Sequence, residues 1–149
     1  MIRFALCLLV FATSVLAQET AQPPLPTIAL KAENGKVITA EVADETPERT
    51  AGLMFREKLD PDSGMLFVMP RPDRAAFWMK NTLIPLSIAY IDPSGTILEI
   101  HDMKPQDEKT IPSVFPTVAY ALEMEQGWFA KAGVNPGEKL KGLPPLTGK

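Results

Sequence analysis

The chain has 149 residues, a formal net charge of −3 and a single cysteine, Cys7. That length supports one hydrophobic core rather than two, and the mild acidity offers nucleic acid or anionic lipid no electrostatic attraction. With Cys7 confined to the amino-terminal apolar run, the remaining chain has no disulfide framework, no thiolate chemistry and no cysteine-ligated zinc.

Residues 1–17 read as a cleavable signal peptide. Arg3 supplies the positive head, the apolar run over 4–16 is broken only by Thr13 and Ser14, and Val15 and Ala17 place small residues before Gln18. The run of 13 residues is too short for a hydrocarbon core that needs about 20. Cys7 has no setting that suits lipid attachment. The expectation is a periplasmic or secreted protein, free of the membrane once the leader is removed and one charge unit more acidic.

Residues 18–26 (QETAQPPLP) carry three prolines and read as an extended tether; 142–149 (GLPPLTGK) reads as a flexible tail. The folded part is expected over 27–141. Residues 27–33 and 36–43 alternate as two strands about Asn34 and Gly35. A two-residue loop would mix the faces. A three-residue loop pairs Leu30 with Ile38 and Ile28 with Ala40, and sets Gly35 in the left-handed position of a bulged turn.

Thr46, Pro47 and Glu48 mark a helix start with a hydroxyl cap, proline at the first helical position and an acid in the first turn. The helix is expected over 47–55, burying Leu53 and Met54, with Gly52 weakening it. Residues 64–69 form a continuous apolar strand stopped by Pro70. Residues 74–80 alternate less cleanly. Residues 86–91 and 96–103 form a second hairpin about 92–95, and 104–116 is a polar loop punctuated by prolines. Residues 118–124 are a strand with Tyr120, Leu122 and Met124 on one face. Residues 127–132 fit one helical turn closed by Gly133, and a short strand about Leu140 ends the domain. Short strands joined by Gly and Pro turns, with minor helices and no repeat, point to an all-β fold with one or two short helices, a sandwich or partly open barrel.

Five motifs occur in order: 46–56 (TPERTAGLMFR), 64–67 (GMLF), 77–86 (FWMKNTLIPL), 120–123 (YALE) and 127–140 (GWFAKAGVNPGEKL). This series resembles the domain of unknown function 192 family, small domains often exported by bacteria, over about residues 41–141. The resemblance implies a jelly-roll type of β-sandwich and no reaction. Two departures stand out: Ser87 occupies a position where many relatives carry aspartate, and 104–116 lacks the cysteines some relatives place there.

The residues themselves offer three candidate chemistries. Residues 49–80 are net positive, and Arg49, Arg56, Trp78, Lys80 and Asn81 combine guanidinium forks, an indole, an ammonium and an amide. Arg49 and Arg56 lie seven apart and are expected to point the same way. Such a set suits a small anionic or sugar-like ligand; the plainer reading is a solvated charged surface. Trp78 is the better aromatic platform, since Trp128 beside Gly127 reads as core. Second, His101 and Met103 share a strand face with Glu99, an alternation that would suit a soft metal such as Cu(I). Against it, the six methionines beyond the leader are scattered and read as core filling. Third, the chain carries no Gly-x-Ser-x-Gly elbow, HExxH or phosphate loop, so an enzyme would have to use a carboxylate pair, whose spacing is tertiary. The expectation is a non-catalytic binding module with no cofactor and no nucleic-acid partner; the alternatives are a carboxylate-pair hydrolase and a Met/His copper-handling protein.

Overall fold

A computed structural model describes residues 20–146. The expected signal peptide at 1–17 lies outside the described residues, as do 147–149. No helix among the described residues is long and apolar enough to cross a membrane.

Strand β1 (Thr27–Lys31) and strand β2 (Val37–Ala43) form the expected hairpin. Leu30 faces Ile38 and Ile28 faces Ala40, and Gly35 sits at φ +88, where a side chain would be disfavoured. Helix α1 (Thr46–Ala51) follows. Its cap is Glu45 rather than Thr46, because the Glu48 carboxylate accepts the Asp44 and Glu45 amides, each at 3.1 Å. The helix stops at Ala51 because Gly52 (φ +49) and Phe55 (φ +61) both turn left-handed. Leu53 and Met54 therefore reach their positions on a turn, Leu53 buried and Met54 half-buried.

The segment from α1 onward returns the chain so that β3 (Ser63–Asp73) lies parallel to β2, a pairing that requires a crossover of about a dozen residues or more. Strand β3 runs through Pro70 rather than stopping there. Its ladder with β8 (Val118–Glu125) skips from Val68–Tyr120 to Asp73–Val118, so the prolines fall where amide donors are not called upon. Strand β5 (Leu86–Ile91), buried along its whole length, lies between β8 and β6 (Ile97–Met103). The large sheet has the order β1-β2-β3-β8-β5-β6. Strands β4 (Ala76–Phe77) and β7 (Ile111–Pro112) pair separately, so most of 74–80 is irregular and the loop at 104–116 carries a strand. Helix α2 (Trp128–Ala132) is closed by Gly133 at φ +67. Ser87 fixes the turn into it: its hydroxyl accepts the Gly127 amide at 2.9 Å and donates to Asp102.

The architecture is all-β with minor helix and sandwich-like, and the large sheet is not closed. Each face carries a core. Leu30, Ile38, Leu66, Ile91, Leu122 and Phe129 pack on one; Met65, Phe67, Ile88, Tyr90, Met103 and Ala121 pack on the other, with Leu53 and Met79. The two ends differ from the expectation of tether and tail. Leu143 and Leu146 pack against the first core, and Tyr120 donates its hydroxyl to the Pro144 carbonyl at 2.7 Å. Leu25 packs against the second core, and Gln22 donates to the Glu48 and Gly52 carbonyls. Leucines among prolines make both segments adhesive where composition suggested only extension.

Candidate functional site

Strand β8 alternates Tyr120, Leu122 and Met124 onto the first core. The opposite parity sends Glu123 onto the second face, between Met65 of β3 and Ile88 of β5. It is only 4% exposed, and its carboxyl makes no hydrogen bond among the described residues. Burial alone pushes its pKa from 4.5 up to about 8, since an ionised carboxylate is costly without solvent or a counter-charge.

Glu123 lines a recess of about 390 Å³ beneath α1 and the 76–82 segment, within the size range of small-ligand pockets (about 300–1,000 Å³). Phe67, Phe77 and Trp78 supply aromatic wall, and Met54, Met69, Thr46, Thr50 and Thr82 line the rest; the Thr46 hydroxyl accepts from Arg49, and those of Thr50 and Thr82 donate to the Thr46 and Lys80 carbonyls. Phe67 and Phe77 meet edge to face at 4.9 Å, which fixes both rings. Trp78 is 44% exposed and carries Lys80 at 5.3 Å over its ring. Gly52 completes the wall: a Cβ there would stand 3.3 Å from the Phe67 ring. The Tyr90 hydroxyl behind Phe77 donates to the Ile111 carbonyl, and burial raises its pKa, with Glu123 and Glu99 adding to the effect.

The family model for domain of unknown function 192 (DUF192), described as Uncharacterized ACR, matches residues 28–142. The chain belongs to the DUF192 family. The DUF192 fold is shared with a crystal structure from Sinorhizobium meliloti 1021, described as a candidate transcription regulator. That protein is 36% identical with a TM-score of 0.76, over 81% of this chain and 97% of the other. A protein of unknown function from Novosphingobium aromaticivorans DSM 12444 is 34% identical with a TM-score of 0.74, over 84% and 94% of the two chains. No curated protein matches.

Of the residues singled out from sequence, this DUF192 domain brings Arg49 and Trp78 to the same recess, with Lys80 attached through the Trp78 ring. Arg49 is engaged structurally: it donates to the Val68 carbonyl and the Thr46 hydroxyl, each at 3.1 Å, and to the Asp44 carbonyl. Arg56 does not join it. Because α1 has ended, the seven-residue spacing no longer sets a common direction, and Arg56 lines a separate cleft in an ion pair with Glu41 at 2.9 Å. Asn81 serves the turn, at φ +54, a region asparagine tolerates, with its carbonyl accepting the Phe55 amide at 2.8 Å.

His101 Nε2 stands 2.8 Å from Glu99 Oε2, and Met103 is fully buried in the second core. No cluster of three or more His, Cys, Asp or Glu suited to a metal occurs among the described residues. The residue that sequence reasoning passed over is Glu123. Its signal was there: one acid inside 118–124 (VAYALEM), a strand apolar on both faces, where a charge has no solvent side to occupy.

Proposed function

We propose that this chain is an exported, non-catalytic binding module whose recess takes a small sugar-like ligand against Trp78. The supporting observation is the recess itself: a half-exposed indole at a pocket with aromatic walls, three threonines and one buried acid. Flat aromatic surface with a few convergent polar groups suits a ring bearing hydroxyls. The anionic version of the ligand draws less support, because the Arg49 guanidinium already serves two carbonyls and a hydroxyl. A carboxylate-pair hydrolase needs two acids flanking the bond, and among the described residues Glu123 is the one carboxylate lining this recess. The Sinorhizobium protein is described as a candidate transcription regulator; were this chain to bind DNA, a net charge of −3 would give it no electrostatic help.

The test is a thermal-shift and tryptophan-fluorescence screen against hexoses, sulfate and phosphate. Sugars should raise the melting temperature by mass action and shift the Trp78 emission to the blue. Trp78→Ala should weaken binding by about tenfold or more, on the scale of a lost aromatic anchor, with stability little changed. A response to sulfate or phosphate alone, or to none of the three, would overturn the reading.

A further inference from the structure

We infer that the floor of the recess selects a ligand bearing a protonated amine, so that the guest is an amino sugar rather than a neutral one. This rests on the sugar-binding reading above and adds to it the chemistry of one end of the ligand.

The Glu123 carboxyl is 4% exposed and lines the recess without a hydrogen-bond partner among the described residues. A buried polar group left in that condition is costly until its complement arrives. No cation among the described residues fills that role. Across the sheet the register runs Glu41, Met65, Glu123, Ile88, His101. Glu41 of β2 is held by Arg56 at 2.9 Å, and His101 of β6 by Glu99 at 2.8 Å. Tyr90 of β5 gives its hydroxyl to the Ile111 carbonyl. Arg49 of α1 directs its guanidinium to Val68, Thr46 and Asp44. Lys80, beyond β4, lies over the Trp78 ring. The remaining lining from β3 and β4 is Phe67, Met69, Ala76 and Phe77, none of them titratable.

The walls make the same selection. Ring faces are electron-rich and attract an ammonium within about 6 Å of the centroid, and Phe67, Phe77 and Trp78 all line this recess. An anion would meet those faces and an acid together. A neutral hydroxyl would answer the acid with one hydrogen bond, whereas an ammonium answers it with charge as well. The binding step is a proton displacement: the ligand ammonium keeps its protons and donates N–H to the carboxylate, while the proton formerly on Glu123 passes to the buffer.

Isothermal titration calorimetry at pH 7, in two buffers of different ionisation enthalpy, tests this with 6-amino-6-deoxyglucose against glucose. The amino sugar should bind about tenfold or more tightly, a difference of about 1.4 kcal/mol, and release close to one proton per site. Glu123→Gln should abolish both the preference and the proton release. Trp78→Ala should weaken both sugars, the amino sugar at least as much as glucose. If wild type binds glucose equally well, or takes the amino sugar without releasing a proton, the amine inference is overturned and the sugar pocket stands. If neither sugar binds, both fall.

Discussion

Glu123 couples the fold to pH. Its carboxyl ionises near 4.5 in the unfolded chain and at about 8 in the native one. Below the lower value both states hold the proton. Between the two, unfolding releases it, so native stability falls as pH rises, by up to about 1.4 kcal/mol per unit. Above the upper value both states are ionised and the decline stops. Thermal melts of wild type and Glu123→Gln across pH 4 to 9 check this: the glutamine variant should lose ground least, and the gap should grow up to about pH 8 and then level. A gap constant across that range would show the carboxyl ionised in the native fold. Residue by residue, the sequence made Trp78 legible, because a tryptophan among Arg74, Ala76 and Lys80 has no apolar face to share. Glu123 was harder to see, since its burial depends on β3 and β5 closing on either side of β8.

Among the elements, β3 leaves no room for a side chain against β8 at Gly64. A Cβ built there would lie 2.1 Å from the Glu123 carbonyl oxygen and 2.4 Å from the Met124 sulfur. Backbone cannot yield as a side-chain tip does, so the ladder would have to part. Gly64→Ala should cost about 3 kcal/mol or more, read as a lower urea midpoint, and it should weaken ligand binding by displacing the strand that carries Glu123. Between β6 and the loop after β7 the contact runs through one side chain. Glu99 accepts the Val114 amide at 2.8 Å while also holding His101, and Val114 itself is exposed. Glu99→Ala should cost about 1–3 kcal/mol, concentrated in that loop. Amide exchange at Val114 and Phe115 should accelerate while β5 and β8 amides stay protected; uniform acceleration would place Glu99 in global rather than local stability.

Over the whole molecule, the carboxyl-terminal segment joins both edges of the open sheet. Lys141 exchanges backbone hydrogen bonds with Lys31 at the end of β1, at 2.9 and 3.0 Å, and the Leu140 amide reaches the Gly95 carbonyl in the turn before β6. Beyond it, Gly142 lies so close to β1 that a Cβ would stand 2.6 Å from the Ala29 carbonyl. Leu143 and Leu146 then cover the first core. Ending the chain at Lys141 should therefore destabilise it by about 2 kcal/mol from lost leucine burial and the Tyr120–Pro144 hydrogen bond. That corresponds to a melting temperature lower by roughly 5–10 °C. An unchanged melt would show the segment to be a passive appendage.

What local chemistry decides, the sequence by itself determined. Alternation of Leu30 and Ile38 about Gly35 set the first hairpin's register, the turn at 92–95 marked the second hairpin, and the motif series named the family. These rest on neighbours a few residues apart, whose side-chain parity and backbone preference are written in their order. Only the tertiary structure decided that β2 and β3 run parallel, that Arg56 parts from Arg49 once α1 ends, and that the leucines of both terminal segments find cover. It alone placed an acid from β8 at the base of an aromatic recess. Each of those outcomes depends on which distant strands meet, and a chain read in order carries no measure of that.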